Sequence, residues 1–291
     1  MNKNTIYFFF YTIIALILTA CNRLDTIEYS PKLTPEAFLS TQHWMRFQIG
    51  TLDFILSQPT SSIIVYFVSF FTIFIAYKFL TNTKNQKSRY WFGIGLFLTG
   101  FGAILAGTSY QAFGYELKCT GREICRWTNW WEIYYAFFSG LGMNAFLVAC
   151  AHSNASGSFR KGIINYALIN SVVYSALLFY GAFSPIQFLV SFEFLSLAST
   201  PSVFFFIWIY AKAYKQTNDK MNLYLRNTWI ILIGVILLYA VSLILGITQF
   251  LWAKGIWFTE NDVLHVGMIY WNYYIWSKLP NEVKDLPNKN R

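Results

Sequence analysis

Charge is what this chain has least of: of 291 residues only 12% are Asp, Glu, Lys or Arg, against about 25% in an ordinary water-soluble domain. With 56% hydrophobic and 21% aromatic residues, the excess of apolar surface is more than a soluble core can bury. Internal repeats and low-complexity linkers are missing. So is any lysine between Asp262 and Ser277 in the last apolar segment, which excludes a retinal protein. The discontinuous spans and midplane charges of a transporter are not seen, and no pore-lining pattern suggests a channel. The formal charge of +9 is scattered between apolar runs instead of forming a stripe, which argues against nucleic acid and leaves membrane lipid as the expected partner.

What is present is a succession of long apolar runs. A spanning helix needs about 20 predominantly apolar residues, and seven segments approach that: 62–80, 90–112, 129–151, 162–183, 186–211, 227–252 and 262–277. The expected fold is therefore all-α, a polytopic seven-helix bundle over 62–277, with an extracytoplasmic cap at 22–61 and a tail at 278–291. The cap carries a possible amphipathic turn near Trp44–Leu56, lying on the membrane surface. Fourteen Lys and Arg fall on the tail side of the spans and seven on the cap side, which places the cap outside and the tail in the cytoplasm.

Residues 1–21 read as a leader: Lys3, an apolar stretch from Thr5 to Leu18, then Leu18-Thr19-Ala20-Cys21. That tetrapeptide resembles a bacterial lipobox, which would make Cys21 the lipidated first residue of a protein of the bacterial inner membrane. The alternative is an uncleaved first helix.

Cys119 and Cys125 flank Gly121 in an outer loop; on the oxidising side of the membrane a disulfide is the expectation, and a metal would need more thiolates or imidazoles than the loop offers. Cys150 reads as an inert buried thiol. Ionisable groups at bilayer depth cost roughly 2.5–3.5 kcal/mol each on insertion scales, so the few present mark candidate function. Glu132, Glu193, His265 and Gln111 all fall near the outer third of their spans, and a shared depth suggests one polar pocket. Asn261 and His265 stand four residues apart on one helical face, and Asp262 suits an N-cap. Against this, a single intramembrane His often only bonds a neighbour, and Glu132 beside Trp130 and Trp131 suits an interfacial position.

Seven spans, a motif closing the second, an acid in the third and a histidine in the seventh resemble the alkaline-ceramidase-like superfamily, which includes the adiponectin/progestin-type receptors. Gly107-Thr108-Ser109-Tyr110-Gln111 stands where that superfamily has its Ser and His, so Gln111 occupies the His position. Glu132 stands for the Asp, His265 for one of the paired His, and Glu260 or Asn261 for the other. The resemblance implies a zinc held by His265 and Glu260, a lipid amide or ester as substrate, and Ser109 and Glu132 as catalytic residues, Glu132 carrying the proton. Gln111, Glu193 and Asn261 would line the ligand pocket. Two of the three histidines are absent, and an amide is a poor zinc ligand. The competing reading is a non-enzymatic membrane protein, without metal, that binds lipid or uses the cluster to hold the bundle together.

Overall fold

The computed structural model describes residues 21–287. The leader expected before that, and the side chain of Cys21, lie outside the described residues. In chain order the elements are α1 (Pro35–Ser40), β1 (Trp44–Ile49), β2 (Leu52–Ser57), α2 (Pro59–Thr81), α3 (Lys87–Ala106, prolonged by a π-helical turn Gly107–Ala112) and α4 (Gly114–Lys118). They continue as α5 (Trp130–Asn154), α6 (Gly157–Phe183), α7 (Phe192–Thr217), α8 (Lys220–Ile244), α9 (Ile247–Trp252) and α10 (Glu260–Lys278).

Six of these helices, α2, α3 with its π turn, α5, α6, α7 and α8, are long and apolar enough to cross a membrane, the signature of an integral membrane protein. Where the seventh span is expected, α10 forms, at 19 residues, but Glu260, Asn261, Asp262, His265 and Asn272 dilute it below the hydropathy of the other six, and it is not among the helices apolar enough to span by composition. The sixth also shortens. Instead of running to 252, α8 ends at Ile244, and Gly246, at φ +61°, turns the chain into the separate α9. Likewise the segment expected from 186 opens with a 3-10 turn, Gln187–Val190, before Ser191 caps α7.

The cap is not purely helical. Trp44 to Ser57, expected to contain an amphipathic turn, forms an antiparallel hairpin pairing Trp44 with Ser57 and Ile49 with Leu52. Gly50, at φ +61°, occupies the first position of its two-residue turn, as such hairpins demand. Phe47 stacks on Phe54 at 5.5 Å, and Arg46 pairs with Asp53. His43 is flanked by Trp252 and Trp257 at centroid distances of 4.3 and 4.6 Å. The cap thus leans on the α9–α10 connection.

Within the bundle α3 lies against both α2 and α5. One close approach of α5 to α3 is made by glycine: a Cβ on Gly142 would stand 2.8 Å from Thr99 Oγ1 and 3.1 Å from the carbonyl of Gly95, so any larger residue would force the helices apart. Asn170 donates to Asn144 at 3.0 Å, joining α6 to α5. Asn272 donates to Thr72 at 2.8 Å, and the Trp271 indole to the Thr228 carbonyl at 2.9 Å. These bonds seat α10 between α2 and α8.

At the end of the bundle away from the cap, the C-terminal segment folds back. Asp285 accepts from the amides of Lys87 and Ser88 at 3.0 and 2.7 Å, supplying the first turn of α3 with a carboxylate it lacks locally. Lys284 pairs with Asp219 at 2.9 Å, and the buried Arg89 donates to the carbonyls of Asn82 and Pro280. Replacing Asp285 by Ala should lower stability by about 1 kcal/mol, in the range of a lost N-cap, and speed tryptic cleavage after Lys284. Thermal unfolding in detergent and a digestion time course measure the two effects.

Candidate functional site

The cluster around Glu132 is built where α3, α4 and α5 end beneath the cap. Asn129, in extended backbone, caps α5: its side-chain oxygen accepts from the amides of Trp131 at 2.9 Å and Glu132 at 3.4 Å. This places Glu132 in the first helical turn, where the amide dipoles favour a carboxylate. Opposite, α3 does not stop at Ala106 but widens into a π turn, closed by Phe113 donating to the Thr108 carbonyl five residues back at 2.8 Å. Such turns redirect side chains and are frequent at functional sites. Here the turn buries both Ser109 and Gln111.

Ser109 connects the two helices. Its hydroxyl donates to Glu132 Oε1 at 2.8 Å and accepts from Asn129 Nδ2 at 2.6 Å. Lys118, at the end of α4, adds the charge: Nζ lies 2.5 Å from the same Glu132 Oε1 and donates to the Trp127 carbonyl at 3.1 Å. Lys118 and Glu132 are 4% and 2% exposed, so this is a buried ion pair. Burial alone would depress the Lys118 ammonium, but Glu132, with help from Tyr29, holds its pKa above the ordinary 10.5.

The disulfide expected between Cys119 and Cys125 is formed, and Gly121 turns the loop at φ +71°. The loop then folds back, Arg126 donating to the carbonyls of Lys118 through its amide and of Leu117 through Nε. Asp25 accepts from Arg122 at 2.7 Å and Arg126 at 2.6 Å. Burial raises and the two guanidinium hydrogen bonds lower the Asp25 pKa, and the guanidiniums prevail. The amides of Cys125 and Trp127 reach the carbonyls of Leu33 and Ile27, so the first segment of the cap is strapped along the disulfide loop that positions Lys118.

Of the residues expected to form one pocket, Ser109 and Glu132 meet and the others lie apart. Gln111 shares the π turn, but its Oε1 is buried without a hydrogen-bond partner. Glu193 lies in the first turn of α7, exposed, and among the described residues no hydrogen bond or ion pair joins it to Glu132. Glu260 is bonded to the Thr248 hydroxyl and accepts from the Thr248 amide at 3.3 Å. Asn261 is half-buried at the start of α10. The N-cap of α10 is Thr259, with Asp262 as the reciprocal partner of a capping box, instead of Asp262 itself. His265 Nδ1 is buried and unpartnered, and among the described residues no hydrogen bond or ion pair joins His265 to Glu132. Nor do three or more His, Cys, Asp or Glu side chains gather anywhere among them in a way that suits a metal ion. The donors present therefore do not fit the zinc that the superfamily resemblance implies: Glu132 is bound to Lys118 and Ser109, and Glu260 to Thr248.

Sequence reading missed Lys118 and Asn129. For Asn129 a signal existed, an Asn directly before Trp-Trp-Glu at the start of an apolar run. For Lys118 there was none, because a lysine beside a loop cysteine is ordinarily solvated. No family model, curated protein or solved structure matches the chain.

Glu132→Ala should cost about 3–5 kcal/mol, the usual penalty for stranding one partner of a buried pair, and a Lys118→Met, Glu132→Leu double variant should recover much of it. Thermal unfolding in detergent measures both. Because Lys118 binds its proton more tightly when folded, the stabilisation that its raised pKa represents is present below the unfolded value of about 10.4 and disappears as pH rises through the higher folded value. The stability gap between wild type and Lys118→Met should therefore narrow in unfolding curves recorded above that pH.

Proposed function

We propose that this chain crosses the bilayer seven times, with its cap outside and its C-terminal segment in the cytoplasm, and that the Glu132 cluster is a clasp seating the cap on the bundle, with no catalysis. The observation that carries this reading is how closed the cluster is. Glu132 Oε1 takes both the Lys118 ammonium and the Ser109 hydroxyl, and Ser109 is occupied in turn by Asn129. A serine nucleophile needs a free base, and a carboxylate neutralised by an ammonium at 2.5 Å is a poor one. For the seventh crossing, α10 would extend about 28 Å at 1.5 Å per residue, and its polar side chains have partners on α2: Asn272 on Thr72, and the Thr259 cap against Ser61 at 3.2 Å.

A second reading, a bacterial inner-membrane hydrolase of ceramidase-like type, is favoured by one contact, the 2.8 Å bond between Ser109 and Glu132, which joins the two residues that the resemblance makes catalytic. Zinc content of the purified protein and release of fatty acid from a fluorescent ceramide in mixed micelles separate the two. The clasp reading expects zinc well below one per chain, no hydrolysis above that of a Ser109→Ala variant, and a lowered unfolding temperature in Glu132→Gln. Zinc near one per chain that is lost in His265→Ala, with hydrolysis lost in Ser109→Ala, would overturn it.

A further inference from the structure

At the end of the bundle opposite the cap, α6 and α7 both lean on α5 yet scarcely touch each other. The wedge between them is a crevice of about 380 Å³ floored by Leu147 and walled by Gly162, Tyr166, Pro201 and Phe205. Phe159 belongs both to it and to a second volume of about 460 Å³, where Trp208, Lys212 and Gln216 line the wall. The Lys212 ammonium lies 5.4 Å from the Trp208 ring centre, a pairing of aromatic and cation found where helices leave the hydrocarbon. Asn154, Ala213 and Gln216 in turn border a third volume of about 590 Å³, closed over by the C-terminal segment at Lys284 and Asp285.

The three volumes adjoin through these shared residues, and their lining changes in order: hydrocarbon and aromatic, then the Lys212 cation, then Ser153, Ser156, Thr217 and Asn222 beside the Lys284–Asp219 pair and Asp285. Asn222 is 4% exposed, and its Oδ1 has no hydrogen-bond partner; a buried acceptor left so is unfavourable unless a donor arrives. From Gln216 back to Pro201 the helix rises about 22 Å at 1.5 Å per residue, the length of one amphiphile with its head group. We propose that these adjoining volumes bind one phospholipid with a polyhydroxylated head: one of its two acyl chains between α6 and α7, its phosphate at Lys212, and its head-group hydroxyls among the Ser, Thr and Asn side chains, one of them donating to Asn222 Oδ1. Each part matches its surroundings, and every volume is within the size range of small-ligand sites. The inference rests on the membrane reading but not on the Glu132 clasp, which lies at the other end of the bundle.

The test is native mass spectrometry of the full chain in detergent, titrated with phosphatidylinositol, phosphatidic acid and phosphatidylcholine. Gly162→Leu is the informative variant, because a Cβ there meets nothing within 4 Å and the larger side chain enters the crevice without displacing protein. Wild type should retain one phosphatidylinositol per chain, at least tenfold more tightly than phosphatidylcholine. Gly162→Leu should weaken that at least tenfold with an unchanged unfolding temperature. Lys212→Gln should weaken phosphatidylinositol and phosphatidic acid alike, and Asn222→Leu should remove the preference for the first over the second. Equal binding of phosphatidylinositol and phosphatidylcholine by wild type would overturn the proposal. So would retention untouched by Gly162→Leu, or a Gly162→Leu effect on chain dimerisation instead of on bound lipid.

Discussion

The disulfide loop meets the bundle through a buried ion pair. Lys118 and Glu132 belong to segments that hydrophobic burial alone has no reason to bring together: a five-residue helix outside the apolar runs and the first turn of a span. Removing two charges from water is unfavourable by several kcal/mol per ion, and the mutual attraction offsets that only when the geometry is good and the remaining hydrogen-bonding positions are filled. Here they are filled by Ser109, Asn129 and the Trp127 carbonyl. The disulfide, the Asp25–arginine contacts and the strap along Ile27–Leu33 make sense as the framework that keeps Lys118 in place. If the loop carrying it wandered, Glu132 would be left charged and dry.

The same constraint organises α10. Its Asp262, Asn272 and Trp271 each find a partner on a neighbouring element or in the helix's own cap, and the helices that receive them, α2 and α8, expose mostly apolar side chains elsewhere. A helix this polar is tolerated in such surroundings only because its bonding groups turn toward protein. Among the oxygens that remain without partners are Asp262 Oδ1 and Asn272 Oδ1 of this helix and Gln111 Oε1 of the π turn. Buried water is the ordinary complement of groups like these.

The bundle was legible from hydropathy because a run of some twenty apolar residues has few alternatives to a helix. The disulfide was legible from two cysteines around a glycine. The hairpin at Trp44–Ser57 was not, since six residues of mixed apolar and polar character fit either period and only the pairing partner decides between them. Depth along a helix also misled. Glu132 and His265 were expected at one level, but they belong to α5 and α10, which make no substantial contact with each other, and a common height says nothing about azimuth. Glu193 was placed too deep because its helix begins at Phe192, so its carboxylate stays in the first turn, at the helix end. The cluster's cation was hidden for a different reason: burial of a loop lysine is set by long-range closure of the loop, which local sequence does not encode.

The carboxylate that completes the first turn of α3 lies 198 positions further along the chain. Because synthesis runs from the N-terminus, α3 leaves the ribosome, and five further long helices follow it, before Asp285 exists. Until then the amides of Lys87 and Ser88 must be hydrated or borrowed by whatever escorts the nascent protein. The tail end of the bundle is therefore finished last, and the final segment works as a bolt slid home once every other helix has found its place.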